Sequence, residues 1–190
     1  MGPIRTADGV SVDEARTMAR SVAAAAMLAL LLAGCSSSSA DQSGYVCPSV
    51  AIIGDLSLIT RLGGEGASPD GRTFSGEIVR ADSECSYDAS SVTVALQISM
   101  VYDRPVGRPA ITEPVAYFVA VARPDGTVVG KDEFPATVEF RANESRAGFR
   151  EELDVLVPLP QGPASGDGYT VYVGYQLSEA ELQFNRQRRQ

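Results

Sequence analysis

The stretch that most constrains this chain is 92–102, where Val92, Val94, Leu96, Ile98, Met100 and Tyr102 alternate with Thr93, Ala95, Gln97 and Ser99. A period of two sends successive side chains to opposite faces of an extended strand, so this segment reads as a strand with one face buried. The rest of the chain after residue 46 repeats the theme in shorter pieces. Residues 50–53 are a short apolar strand, and 56–62 reads equally as a second strand or as a helical turn. Gly63, Gly64, Gly66, Pro69 and Gly71 then make a turn-rich connection, because the strand, Lys and helix of a phosphate-binding loop do not accompany them.

Residues 74–81 form a strand with Cys85 just beyond its end, joined to 92–102 through Asp88-Ala89-Ser90 and pairing with it. Three prolines between Arg104 and Pro114 predict a crossover loop rather than a tight hairpin. Residues 115–122 are apolar on both faces, the pattern of a central, covered strand. Pro124-Asp125-Gly126 is a turn signature that returns 127–134 antiparallel. Two further strands follow at 136–140 and 149–157, the second stopped by Pro158 and Pro160. The last is 168–176, with Tyr169, Val171, Val173 and Tyr175 inward. Its opening Gly168-Tyr169 resembles the tyrosine corner of immunoglobulin-like sandwiches. Seven or so short strands with turns between them predict an all-β domain over 47–177. The expected architecture is an immunoglobulin-like or fibronectin-III-like two-sheet antiparallel sandwich, with a closed barrel as competitor and a short C-terminal helix over 178–190.

Composition bounds the chemistry. The 190 residues carry a formal net charge of −8 and no His, which argues against a nucleic-acid partner and excludes Ser-His-Asp triads and His-ligated zinc. No metal and no cofactor is expected, and no enzymatic activity.

The apolar run 22–32 is too short to span a bilayer but fits the apolar region of an export signal. It ends in Leu32-Ala33-Gly34-Cys35, followed by Ser36-Ser37-Ser38-Ser39. This arrangement resembles the lipobox of bacterial lipoproteins. The resemblance implies a signal peptide over 1–34, acylation of Cys35, and cleavage just before it. Arg16 and Arg20 supply the charge before the apolar run, whereas Asp8, Asp13 and Glu14 are unusual there, so translation is expected to begin at Met18. Residues 35–46 are then a flexible tether to a membrane. With Cys35 lipidated, Cys47 and Cys85 remain as a pair in an oxidising compartment and are expected to form a disulfide. By analogy with enterobacterial sorting, Ser36 after the cysteine points to the outer membrane, with the domain on its periplasmic face. Cys47-Pro48, Cys85-Ser86-Tyr87, the run Tyr117-Phe118-Val119-Ala120-Val121, Glu151-Glu152, Gly174-Tyr175-Gln176-Leu177 and Asn185-Arg186 resemble a group of uncharacterised proteobacterial lipoproteins. That likeness implies an envelope location and a sandwich-like fold.

Several residue groups are candidates for function. Asp82, Glu84 and Asp88 cluster near Cys85 without the spacing of a calcium loop, and read as a solvated turn. Glu151 and Glu152 are adjacent and so point to opposite faces, with Glu151 in the inward register. Tyr117, Tyr169, Tyr172 and Tyr175 at strand spacing suit a core more than a ligand pocket. In the tail, Ser178 and Glu181 form a capping box and the arginines oppose the negative end of the helix dipole. Helical spacing puts Phe184 on the docking face and leaves Leu182, Arg186 and Arg189 as a partner surface. The expected function is a non-catalytic binding or assembly module with an envelope protein partner, the alternatives being a small-ligand carrier or a His-independent envelope enzyme.

Overall fold

The computed structural model describes residues 44–63 and 70–188. The expected signal peptide with Met18, Cys35 and most of the expected tether, as well as Gly64, Gly66, Pro69 and Arg189, lie outside them.

Two four-stranded sheets pack face to face. One has the order β1 (Ser49–Ile52), β8 (Thr170–Tyr175), β5 (Ile111–Ala122), β6 (Val128–Phe140), and the other β2 (Leu58–Leu62), β3 (Arg72–Tyr87), β4 (Ser91–Asp103), β7 (Arg146–Pro158). This is the expected two-sheet sandwich rather than a barrel, and helix α1 (Glu179–Arg188) follows it. All strand pairs are antiparallel except β1–β8, which is parallel.

The alternation that predicted β4 decides the core. Val92, Val94, Leu96, Ile98, Met100 and Tyr102 are all buried, and they meet Tyr117, Val119, Val121, Val171, Val173 and Tyr175 from the opposite sheet. Strand β5 is central, as its two apolar faces require. On its outer face Phe118 is buried, with the Lys131 ammonium 4.6 Å from its ring centre. Gly76 is directly opposite Tyr102 across the β3–β4 pair, and a Cβ at Gly76 would run into the tyrosine ring. Glycine here makes the room that one of the core's three fully buried tyrosines occupies.

Several segments differ from expectation, among them β5, which starts at Ile111 and takes in Pro114 where a crossover loop was expected, at a stretch where β6 alone pairs with it. Strand β3 does not stop at Ala81. After a bulge between Ile78 and Arg80 it continues through Cys85, which faces Val94, because β4 is long enough to pair with it throughout. Residues 127–134 and 136–140 are one strand, β6, running straight through Pro135. Proline lacks an N–H, and β6 tolerates it because it is a sheet edge. The segment 56–62 is both alternatives in succession, a 3-10 turn over Gly54–Leu56 and then β2. Gly63 donates its N–H to the Gly71 carbonyl, and both take the positive φ that glycine tolerates.

The registers give the domain two poles. At one stand the start of β1, the end of β3 and the turns after β3, β5 and β7. At the other stand the end of β2, the start of β3 and the β4–β5 and β6–β7 connections. Cys47 and Cys85 form the expected disulfide at the first pole, with Cα atoms 6.0 Å apart. There Tyr87 also donates to the Val46 carbonyl at 2.5 Å.

Candidate binding surfaces

The C-terminal helix begins as its sequence dictates. The Glu181 carboxylate accepts from the Ser178 N–H at 2.8 Å and from its hydroxyl at 2.7 Å, and the Ser178 hydroxyl accepts from the Glu181 N–H at 3.3 Å. The attachment is not the expected one. Asn185, only 4% exposed, donates from Nδ2 to the carbonyls of Asp55 at 2.9 Å and Leu58 at 2.8 Å. The helix is thus latched to the 3-10 turn and β2 by a polar side chain that satisfies two loop carbonyls. Phe184 is half-buried, with the Arg188 guanidinium 5.8 Å from its ring centre. Of the predicted partner surface, Leu182 is half-buried and Arg186 is exposed, 3.7 Å from the Asp55 carboxylate. Leu182 lies three positions from Asn185 and so shares its side of the helix. The detectable signal was an asparagine in mid-helix, a residue with poor helix propensity that needs another reason to be there.

A second surface is the outer face of the β3–β4–β7 sheet. Ala95 and Gln97 form the floor of an open trough, flanked by Glu84 and Asp82 from β3 and by Asp154 and Glu152 from β7. The two walls stand two strand spacings apart, about 10 Å between backbones. Gln97 donates to Glu152 at 2.8 Å and Arg80 pairs with Asp82 at 2.5 Å. Asp82 and Glu84 therefore belong to a strand rather than to the expected turn. Among the described residues, no three His, Cys, Asp or Glu side chains close on a point that would hold a metal ion.

The third surface is the pole opposite the disulfide. Arg104 donates from Nε to the Glu144 carbonyl at 2.7 Å, from Nη1 to Pro109 at 2.7 Å and from Nη2 to Arg141 at 2.6 Å, while its guanidinium lies 4.7 Å from the Phe140 ring centre. One side chain thereby ties the β4–β5 loop to the β6–β7 loop. The Asn143 N–H adds a bond to the Arg108 carbonyl at 2.8 Å, with Asn143 at φ 64°. Nearby, Arg61 pairs with Glu113 at 2.5 Å, donates to the Pro114 carbonyl and lies 5.1 Å from the Phe74 ring centre. These clamps present Val106, 78% exposed, together with half-buried Arg108 and exposed Arg141 and Ile111. Sequence reasoning saw the prolines of this loop and missed Arg104, two of whose three partner carbonyls are contributed by a distant loop.

The tyrosines divide. Tyr117, Tyr169 and Tyr175 are buried in the core and Tyr172 is half-buried on the outer face of the β1–β8–β5–β6 sheet. Burial raises the pKa of Tyr175 and of Tyr102, whose rings meet edge to face at 6.3 Å between centres. Burial likewise raises that of Tyr117, with the Glu151 charge adding to it. Glu151 is half-buried in the inward register, opposite Ile98. The chain matches no protein-family model, no curated protein and no solved structure.

Proposed function

We propose that this is a lipid-anchored cell-envelope protein, acylated on Cys35, whose sandwich is a non-catalytic binding or assembly module on the periplasmic side of the outer membrane. The observation that carries the reading is the polarity of the domain. The chain enters it at the pole closed by Cys47–Cys85, and the loops at the far pole are held in one arrangement by Arg104. A tether at the entry pole leaves the far pole free to meet a partner, and loops ordered in advance lose less entropy on binding. An oxidised cysteine pair fits an exported domain. Of the expected second contact surface, exposed Arg186 with Arg189 remains in this reading, while half-buried Leu182 lies on the docked side of the helix.

Two measurements test it. Labelled fatty acid should enter the wild-type protein and be absent from Cys35→Ser; equal labelling removes the anchor from the proposal. A photo-crosslinking residue at Val106 should then yield discrete envelope adducts that one at Thr127, on the entry pole, does not. Identical adducts at both positions would leave the far pole with no special role.

A further inference from the structure

Each sheet of the sandwich ends in two edge strands, and an unpaired edge is a template for another strand unless something blunts it. Three of the four edges are blunted. β1 and β2 have four and five residues, and α1 packs against β2. β6 carries Pro135 in its course, which removes a ladder donor from that edge. β7 is different. It runs for 13 residues, paired to β4 residue for residue with no register shift, and its only proline is the terminal Pro158.

We propose that β7 pairs antiparallel with β7 of a second copy of this chain about a two-fold axis at Phe149, joining two four-stranded sheets into one of eight strands. Charge along the outward face of β7 argues for this occupant. Arg146 and Arg150 lie in its first half and Glu152 and Asp154 in its second, so an antiparallel copy sets plus against minus. The same charges select the register. Centred on Phe149, Arg146 faces Glu152 of the second copy, twice by symmetry, Arg150 faces Gly148, and the inward-register Glu151 faces Ala147. Every other centre from Gly148 to Asp154 opposes like charges: Arg146 to Arg150, Glu152 to Asp154, or a charged residue to itself. Glu151 thus acts as a register gate, because a copy slipped by two residues sets Arg150 against itself and one slipped by four brings the two Glu151 side chains together. The existing Arg146–Asp103 contacts, at 2.8 and 3.0 Å, are exposed and compete only weakly. This inference rests on the fold and does not require the lipid anchor.

The test is a charge swap on the full chain, purified in a density-matched detergent and followed by sedimentation equilibrium, with circular dichroism to verify folding. The wild type should be a dimer. Arg146→Glu and Glu152→Arg should each weaken self-association by roughly tenfold or more, since each creates two like-charge oppositions. The double variant should restore the dimer. A monomeric wild type at the highest soluble concentration, single variants that dimerise like the wild type, or a double variant no better than the singles would each overturn the proposal. Because the restored double variant must be folded, misfolding of a single variant cannot imitate the expected result. Loss of fatty-acid labelling leaves this outcome untouched, so the two proposals fail separately.

Discussion

Arg104 is the residue on which the far pole depends, and its cost of removal follows from its partners. Truncation leaves three carbonyls without their charged donor and uncovers the Phe140 ring. Arg104→Ala is therefore expected to lower unfolding free energy by about 2–4 kcal/mol in a urea titration. Arg104→Lys should recover little, because a single ammonium cannot reach three carbonyls that a planar fork spans. The buried phenols make a second prediction at this scale. Burial keeps Tyr102, Tyr117 and Tyr175 protonated beyond the ordinary tyrosine range, whereas in the unfolded chain they ionise near pH 10. Above that pH the folded state holds more protons than the unfolded one, so stability is complete below about pH 10 and falls as pH rises further. Melting temperature should decline only in that alkaline window, and the phenolate absorbance of these three residues should appear together with unfolding. Phenolate signal from all seven tyrosines before unfolding would contradict it.

Among elements, the C-terminal helix shows how a short amphipathic segment is placed by one polar contact. Its hydrogen bonds begin at a local capping box, legible in Ser178 and Glu181, but ten residues make a marginal helix without docking. Asn185→Ala removes both latch bonds and leaves the Asp55 and Leu58 carbonyls short of a donor. The expected loss is about 1–3 kcal/mol, with amide exchange in Glu179–Arg188 accelerating well before the sheets open. Uniform protection across helix and sheets in that variant would show that the latch is not what holds α1. Strand β6 makes the complementary point: Pro135 looked like a boundary between two strands, and it became an interior residue because its missing N–H falls on an edge.

The sandwich domain is closed at one end by a covalent link and organised at the other by arginines. The disulfide joins Cys47 to Cys85 across 38 residues, spanning β1, β2 and most of β3. Constraining an unfolded loop of that length is worth about 4 kcal/mol in the chain-entropy account. Replacing both cysteines by alanine should lower denaturant stability by about that amount at most, and reductant should have no further effect on the double variant. An unchanged midpoint would mean that β1 holds its place through its parallel pairing with β8 alone.

What the sequence determined by itself was everything local in period or chemistry. The alternation in 92–102 decided which face of β4 is buried, the two apolar faces of 115–122 put β5 at the centre, and the capping box started α1. Cysteine arithmetic identified the Cys47–Cys85 pair, given a lipidated Cys35. Tertiary structure decided what depends on residues far apart in the chain. It carried β3 past Ala81, because β4 offered twelve partners for it. It turned Asp82 and Glu84 from a loop into the wall of a trough, and it turned the Asn185 side of α1 toward the domain because two carbonyls of the 3-10 turn segment needed a donor. It also chose the edges, since strand order is absent from any single strand's pattern. Periodicity reports which way a side chain points; only the assembled sheets determine what stands opposite it, and that is where Arg104, Asn185 and the open edge of β7 acquire their roles.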